Sequence, residues 1–550
     1  MKKWLSLLLC AMLLALPCLQ ASAETLTGEA DGFGGPVKAE VTVENGVITG
    51  LTLTGDAETP AIGGAALEPL TAAILAAGTV DGVDAVSGAT WTSNGVFAAV
   101  KKALGIEEAA AEAAVSEASA SGLSHGIGIA ATPRLGPGKD DKGMPVYSFN
   151  VVVAYVVADG NGRIVDLETD IVEIITPNHD EKEDNVLAGW PGMSWNNDAD
   201  CDGAVDGVLT ETEESFSADL AAWKTKREKG SAYKLNSGTW ESEMDLLEEA
   251  FKGKNRDELE AWVAKFTSDL NGRPLHGTSA KDEDIAKWNT LTDDEKAEMD
   301  AISSATMSVN DAHGNMIAAV GNALGALKPV NTDADIASLG LGILTTPRLG
   351  PGKDDQDVPV YSFNVVAAGS VYDAEGRTAG LCCDILEIIT PNHDGADDNV
   401  FAGWPSQSYN NDADADGKVD GVLEQTEESF VAAVNGYTSK RALGTKYKMN
   451  SGTWVQEMSI FEAGFEGKTA DEILAFFALH GSASNGRLVT AASTRDADAA
   501  AWAALTAEQQ REVDAFSGAT MSLNDAHGNI IGAIGKAWKA AKPSVIHINK

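Results

Sequence analysis

The sequence predicts an α+β protein of three related units, each a small antiparallel, hairpin-based sheet with helices packed on it, the last two enlarged by an insertion. Three observations carry that expectation. Alternating apolar and polar residues flank a turn in "VKAEVTVENGVITGLTLTG", and an Asn-Gly pair between such runs is the strongest short hairpin signal. "GIGIAATPRLGPGKDDKGMPVYSFNVV" from Gly126 returns as "GLGILTTPRLGPGKDDQDVPVYSFNVV" from Gly340, an offset of 214 (340 less 126) that holds without a gap through Lys328 and Lys542. A short turn, "DAVSGATWTS" at residues 84–93, is echoed by "DAISSATMS" from Asp300 and "DAFSGATMS" from Asp514.

The elements follow in order. Lys2 and Lys3, an apolar run from Trp4 to Leu19 and the small-x-small site Ala21-Ser22-Ala23 have the layout of a secretory signal peptide, residues 1–23, with Glu24 opening the mature chain. A lipid anchor on Cys18 or Cys10 is the alternative. Beyond this run no segment reaches the roughly 20 apolar residues of a spanning helix. The first unit, residues 24–105, holds the Asn45-Gly46 hairpin, then "GAALEPLTAAILAAG", a helix ended by Gly78, then the turn and "SNGVFAAVKKALG", a helix closed by Gly105. Residues 106–124, rich in Ala, Glu and Ser and without an apolar face, form a linker. Two repeats follow, 125–330 and 339–545, separated by a short linker at 331–338. Each opens on a hairpin with a longer turn, "YSFNVVVAYVVADGNGRIVDLETDIVEI" and "YSFNVVAAGSVYDAEGRTAGLCCDILEI". Each later has a helix opened by a capping box, Thr292 with Glu295 and Thr506 with Gln509, leading into the turn. The turn is expected to open a helix in all three units.

The formal charge is −42, and removing Lys2 and Lys3 takes it to −44. So acidic a chain is repelled by nucleic acid and by anionic lipid. Outside the leader the cysteines are Cys201, Cys382 and Cys383, an odd number without repeated spacing, so no disulfide framework is expected.

A Ser-Gly-Ala-Thr turn at a helix N-terminus offers unpaired N–H groups and a positive dipole end, which suit a phosphate. Gly88 and Ala89 let it approach the backbone, and Thr90 supplies a hydroxyl at the same spot. Helix capping by Ser and Thr is the plainer explanation of the same residues.

Along nearly its whole length, "TGEADGFGGPVKAEVTVENGVITGLTLTGDAETPAIGG" followed by "VDAVSGATWTSNGV" resembles the FMN-binding domain family. That family includes flavoprotein subunits of the Rnf and sodium-pumping NADH:quinone oxidoreductase complexes and domains of exported fumarate-reductase-like enzymes. Its motif, Asp-x-x-Ser/Thr-Gly-Ala-Thr, is similar here to Asp84, Ser87, Gly88, Ala89 and Thr90, and the resemblance implies a flavin transferase that esterifies FMN to Thr90. Over the repeats the resemblance is confined to hairpin and motif. Asp514, Ser517, Gly518, Ala519 and Thr520 complete the motif in the last unit. In the middle one Ser304 stands where the family has Gly, a steric objection to Thr306 as an attachment site. His313 and His527, about two helical turns past the Thr, and Trp91 could face a flavin or simply pack.

A second constellation lies in the insertions. In "NNDADCDGAVDG" and "NNDADADGKVDG", Asp198, Asp200, Asp202 and Asp206, like Asp412, Asp414, Asp416 and Asp420, take positions 1, 3, 5 and 9 of an EF-hand-type loop, with Gly203 and Gly417 at the sharp turn. Leu209 and Leu423 stand where the bidentate acid belongs, so calcium and an Asp-rich solvated turn both remain open. His179 and His393 in "ITPNHD" lack a companion at ligand spacing.

Dinucleotide fingerprint, haem-attachment motif, P-loop and nucleophile triad are all missing. The expectation is an exported electron-transfer flavoprotein with up to three covalent FMN groups, a carrier or redox subunit rather than a stand-alone enzyme, relaying electrons between a membrane donor and an extracytoplasmic acceptor or reductase. The alternative is a secreted, calcium-stabilised binding or structural protein whose repeats have lost flavin.

Overall fold

The computed structural model describes residues 24–105 apart from 32–35, 45–46, 57–59, 61–62, 81–82, 84–85 and 87–89, and residues 122–548 apart from 180, 182, 236, 450 and 517. The signal peptide, most of the 106–124 linker and the Asn45-Gly46 turn therefore lie outside the described residues. Two compact units result, Met1–Ala113 and Ala114–Lys550. No helix of the described residues is long and apolar enough to cross a membrane.

In the first unit, strands β1 (Glu24–Asp31), β2 (Pro36–Glu44) and β3 (Val47–Thr54) form an antiparallel sheet in that order. The pairing of β2 with β3 matches the hairpin expected from the alternation. Helix α1 (Gly63–Ala77) ends at Gly78, φ +68°, and α2 (Thr90–Ala103) ends before Gly105, φ +69°, both in the left-handed conformation that favours glycine. Val37, Ala39 and Val41 of β2 meet Leu70, Ile74, Val96 and Val100 of the helices in one apolar core. A Cβ on Gly28 would lie 2.1 Å from the Ala99 carbonyl oxygen, so this glycine is what lets α2 seat on β1.

The second unit is built from the repeat. The first copy supplies β4 (Leu123–Lys139), β5 (Pro145–Asp159) and β6 (Ile164–Ile175), joined as an antiparallel meander and flanked by the short strands Lys328–Pro329 and Asn185–Val186. Helices α3 (Trp240–Phe251), α4 (Asp293–Ala301) and α5 (Met316–Gly325) belong to the same half. The second copy repeats the plan with β7 (Ile336–Lys353), β8 (Pro359–Tyr372), β9 (Thr378–Ile389), α6 (Trp454–Phe465), α7 (Ala507–Asp514) and α8 (Ile530–Lys539). The expected capping boxes open α4 and α7. Glycines again admit a helix: Cβ atoms on Gly128 and Gly342 would lie 2.3 and 2.2 Å from the Ala319 and Ala533 carbonyl oxygens of α5 and α8.

Strand β5 is apolar on both faces because both are covered. Val152, Ala154 and Val156 face the helices of their own repeat, while Val151, Val153, Tyr155 and Val157 enter a core shared with Phe363, Val365 and Ala367 of β8. The two repeats thus meet through their sheets, and each sends one helix, Glu213–Ala222 or Glu427–Asn435, into the shared core through Phe216 and Leu220 or Phe430 and Val434. Reciprocal bonds fix the pairing: Trp190 Nε1 donates to the Phe401 carbonyl at 2.5 Å and Trp404 Nε1 to the Leu187 carbonyl at 2.6 Å. Two tyrosines could not meet here, since a Cβ on Gly369 would lie 2.2 Å from the Tyr155 ring, and Tyr155 is the residue matching Gly369 in the other copy. Among the described residues Cys201, Cys382 and Cys383 form no disulfide, and the last two are buried.

Candidate functional site

In the first unit Thr90 is the first residue of α2, where the N–H groups of a helix have no partner in the preceding turn. Ser93 Oγ accepts from the Val86 N–H at 3.1 Å, tying the approach segment to the first turn. Asp84, Ser87, Gly88 and Ala89, and the side chains of Thr90 and Trp91, lie outside the described residues.

The repeats depart from the expected geometry. Their turn does not open a helix: it is the exit from α4 and α7, and the next helices begin ten residues after the Thr, at Met316 and Ile530. The two-residue strands Asn310–Asp311 and Gly314–Asn315 intervene, with their counterparts Asn524–Asp525 and Gly528–Asn529. Gly314 at φ +136° turns the chain and Asn315 caps α5, its Oδ1 accepting from the Ala318 N–H. His313 and His527 therefore stand on hairpin tips, bonded to Asp311 at 3.0 Å and Asp525 at 2.9 Å, not on a helix past the Thr.

What fills the turn is a carboxylate that the sequence reading did not single out. Glu243, on α3 and 1% exposed, accepts from the Thr306 N–H at 2.5 Å, the Met307 N–H at 3.1 Å and the Thr306 hydroxyl at 3.0 Å, all on Oε2. Glu457, on α6 and equally buried, does the same for Thr520 N–H at 2.6 Å, Met521 N–H at 2.7 Å and the Thr520 hydroxyl at 3.2 Å. The Thr520 hydroxyl also accepts from Ser451 Oγ at 3.2 Å. Ala519 packs against the helical core and Asp514 is the last residue of α7. Gly518 has φ +114°, whereas Ser304 has no positive φ, so the serine is met by a different backbone turn rather than by strain. Ser517 lies outside the described residues.

Beside Thr306 is a cavity of about 310 Å³ whose lining includes Lys226, Tyr233, Trp240, Arg273 and His313. Lys226 is 2% exposed, 3.2 Å from Glu173, and Arg134 reaches the same carboxylate at 3.3 Å. Burial pushes Glu173 up, but Lys226 and then Arg134 outweigh it and bring the group down to about 2. The second copy keeps the arrangement in Lys440, Glu387 and Arg348. None of these ion pairs carries a local sequence signal, because each joins residues far apart in the chain. Their retention at the repeat offset is the trace they leave.

In the insertions Asp198, Asp200 and Asp206 bring one carboxylate oxygen each within 4.8 Å of one another, as do Asp412, Asp414 and Asp420. Asp202 and Asp416 are not in these groups. Asp202 accepts from the Ala204 N–H, and Asp416 pairs with Lys418 at 2.7 Å. Asp198 also binds its own loop, accepting from the Asp202 and Gly203 N–H groups, and Cys201 and Ala415 take φ +57° and +56° in the two loops. Leu209 and Leu423 lie on the strands Gly207–Thr210 and Gly421–Glu424 that leave the loops. His179 and His393 each bond an Asp of their own loop at 2.5 Å, Asp184 and Asp398.

Residues 32–105 match the family model of the FMN-binding domain. That stretch contains β2, β3, both helices and the Asp84 to Thr90 motif, so the first unit is an FMN-binding domain. Over 223 residues the chain is 31% identical to a chlorophenol reductase of Desulfitobacterium hafniense, an alignment covering 38% of this chain and 59% of that protein.

Proposed function

We propose that this protein is an exported electron carrier whose first unit holds FMN as a phosphoester on Thr90, placed there by a flavin transferase. The observation that carries the reading is the coincidence of the family match over residues 32–105 with a motif whose Thr is the first residue of a helix. Bound FMN would supply one- and two-electron redox chemistry. The chain's own part is to place Thr90 at the first turn of α2, where a phosphate finds N–H donors and the positive end of the helix dipole. Leu70 and Ile74 of α1 and Val96 and Val100 of α2 hold the helix against the sheet. The electrons would pass between a membrane donor and an extracytoplasmic acceptor or reductase. The likeness to a chlorophenol reductase agrees with a place in reductive metabolism. Asp84, Ser87, Gly88 and Ala89 are proposed to shape the flavin attachment turn.

The experiment is intact-protein and peptide mass spectrometry of chain exported together with a flavin transferase. Thr90→Ala should remove one FMN mass and leave the fold intact. An unchanged mass would rule out Thr90 as the attachment site.

A second reading has its own support in the repeats. The Asp198, Asp200, Asp206 and Asp412, Asp414, Asp420 triads favour calcium-stabilised loops on a binding or structural module. On this reading Asp202 and Asp416 contribute through the backbone turn and not as ligands.

A further inference from the structure

We infer that the anion seat in each repeat is filled from within the chain, by Glu243 and Glu457, so that Thr306 and Thr520 are not esterified and the ester-linked flavin is confined to Thr90. The inference rests on the reading of the first unit only for its last clause. A phosphate on Thr306 Oγ1 needs donors for its free oxygens, and the backbone N–H groups of the turn itself, those of Thr306 and Met307, are both already bound to Glu243 Oε2. It also needs the hydroxyl as its ester oxygen, and that hydroxyl already donates to Glu243. An entering phosphate would have to share the space with a carboxylate, and like charges repel most where water is excluded.

The carboxylate has no easy exit. Glu243 lies between Trp240, 3% exposed, and Met244, fully buried, on a helix fixed by a Thr239 capping box; Glu457 lies between Trp454 and Met458 in the same way under Thr453. The motif is complete around Thr520 and broken by Ser304 near Thr306, yet both seats are filled alike. Motif quality therefore does not separate the two repeats. What sets them apart from the first unit is position: Thr90 begins a helix, whereas Thr306 and Thr520 sit ten residues before one.

The test uses the full chain, exported with a flavin transferase and with a second acceptor protein of the same enzyme as a loading control. With the control loaded, peptide masses should show unmodified Thr306 and Thr520 peptides and FMN on the Thr90 peptide. FMN on either repeat peptide overturns the inference. A bare Thr90 beside bare repeats would defeat the reading of the first unit while leaving this one standing. Glu457→Ala opens the seat and should let FMN appear on Thr520; Glu457→Gln keeps the volume while removing the charge and should give the same gain to a smaller degree. Thermal melting establishes that each variant is folded. If Thr520 stays bare in both folded variants, the carboxylate is not what excludes the ester and the inference falls.

Discussion

Lys440 is 3% exposed, yet its ammonium is held 2.9 Å from Glu387, which Arg348 also reaches at 3.1 Å. Removing one partner of a buried pair leaves an uncompensated charge, so Lys440→Met should destabilise the second unit by about 3–5 kcal/mol, while Lys440→Met with Glu387→Gln should recover much of that loss. Urea unfolding at neutral pH measures both. Burial pushes Glu387 up, but Lys440 and Arg348 outweigh it and bring it down to about 2. Because the folded value lies below the ordinary 4.5, the stabilisation is present above pH 4.5 and is lost as pH falls from there through about 2. The gap between wild type and Lys440→Met should therefore shrink when unfolding is repeated at pH 3. A gap that is the same at pH 7 and pH 3 would mean the ion pair is not its source. In the sequence these residues read as unremarkable: Lys440 lies in a polar, basic segment and Glu387 interrupts an apolar strand. Burial and partnership are tertiary facts that no local pattern carries.

At the scale of elements, the hairpins were legible because alternation and turn residues are local. The β5–β6 and β8–β9 hairpins and the capping boxes at Thr292 and Thr506 follow from short spacings, whereas β4 and β7, which complete each meander, were not expected. The helix expected to start at Thr306 and Thr520 was misplaced for a reason that is visible afterwards. "NDAHGN" forms a two-residue hairpin whose Gly takes a positive φ, and Asn315 or Asn529 then caps the next helix. Taken together, the turn and the apolar run after it read as one helix start, which hides that Gly-Asn stop and start. The glycines of β4 and β7 offer a direct check of how these helices seat. Gly128→Ala places a methyl 2.3 Å from backbone atoms of Ala319 and Ala323, and should cost about 1–3 kcal/mol as overpacking, read as a lower melting temperature. The Asp loops make a separate prediction. If each triad binds calcium, a ligand at 100 times its Kd adds about 2.7 kcal/mol per site, so a chelator should lower the melting temperature of calcium-loaded protein. Equal melting curves on protein shown to be metal-free and on calcium-loaded protein would leave two solvated turns.

For the whole molecule, the duplication at an offset of 214 was plain in the sequence, but its consequence was not. Two modules in tandem were expected, and the repeats pack sheet to sheet in one compact unit, Ala114–Lys550. The clue lay in β5 and β8, whose unbroken apolar runs imply burial on both faces. Residues 122–330 alone would expose Phe149, Val151, Val153 and Tyr155, so the isolated first repeat should self-associate in light scattering; a monodisperse, cooperatively melting monomer would contradict the shared core. The division of labour that emerges is an FMN-binding domain joined to a duplicated module whose own Thr turns are closed by internal carboxylates. The measurement that tests this most directly is the flavin content of the exported full chain, denatured and precipitated after co-expression with an active transferase, with the adduct mapped by peptide mass. The account predicts one FMN per chain that survives denaturation and sits on Thr90. A chain without covalent flavin beside a loaded control acceptor, or flavin found on Thr306 or Thr520, would contradict it.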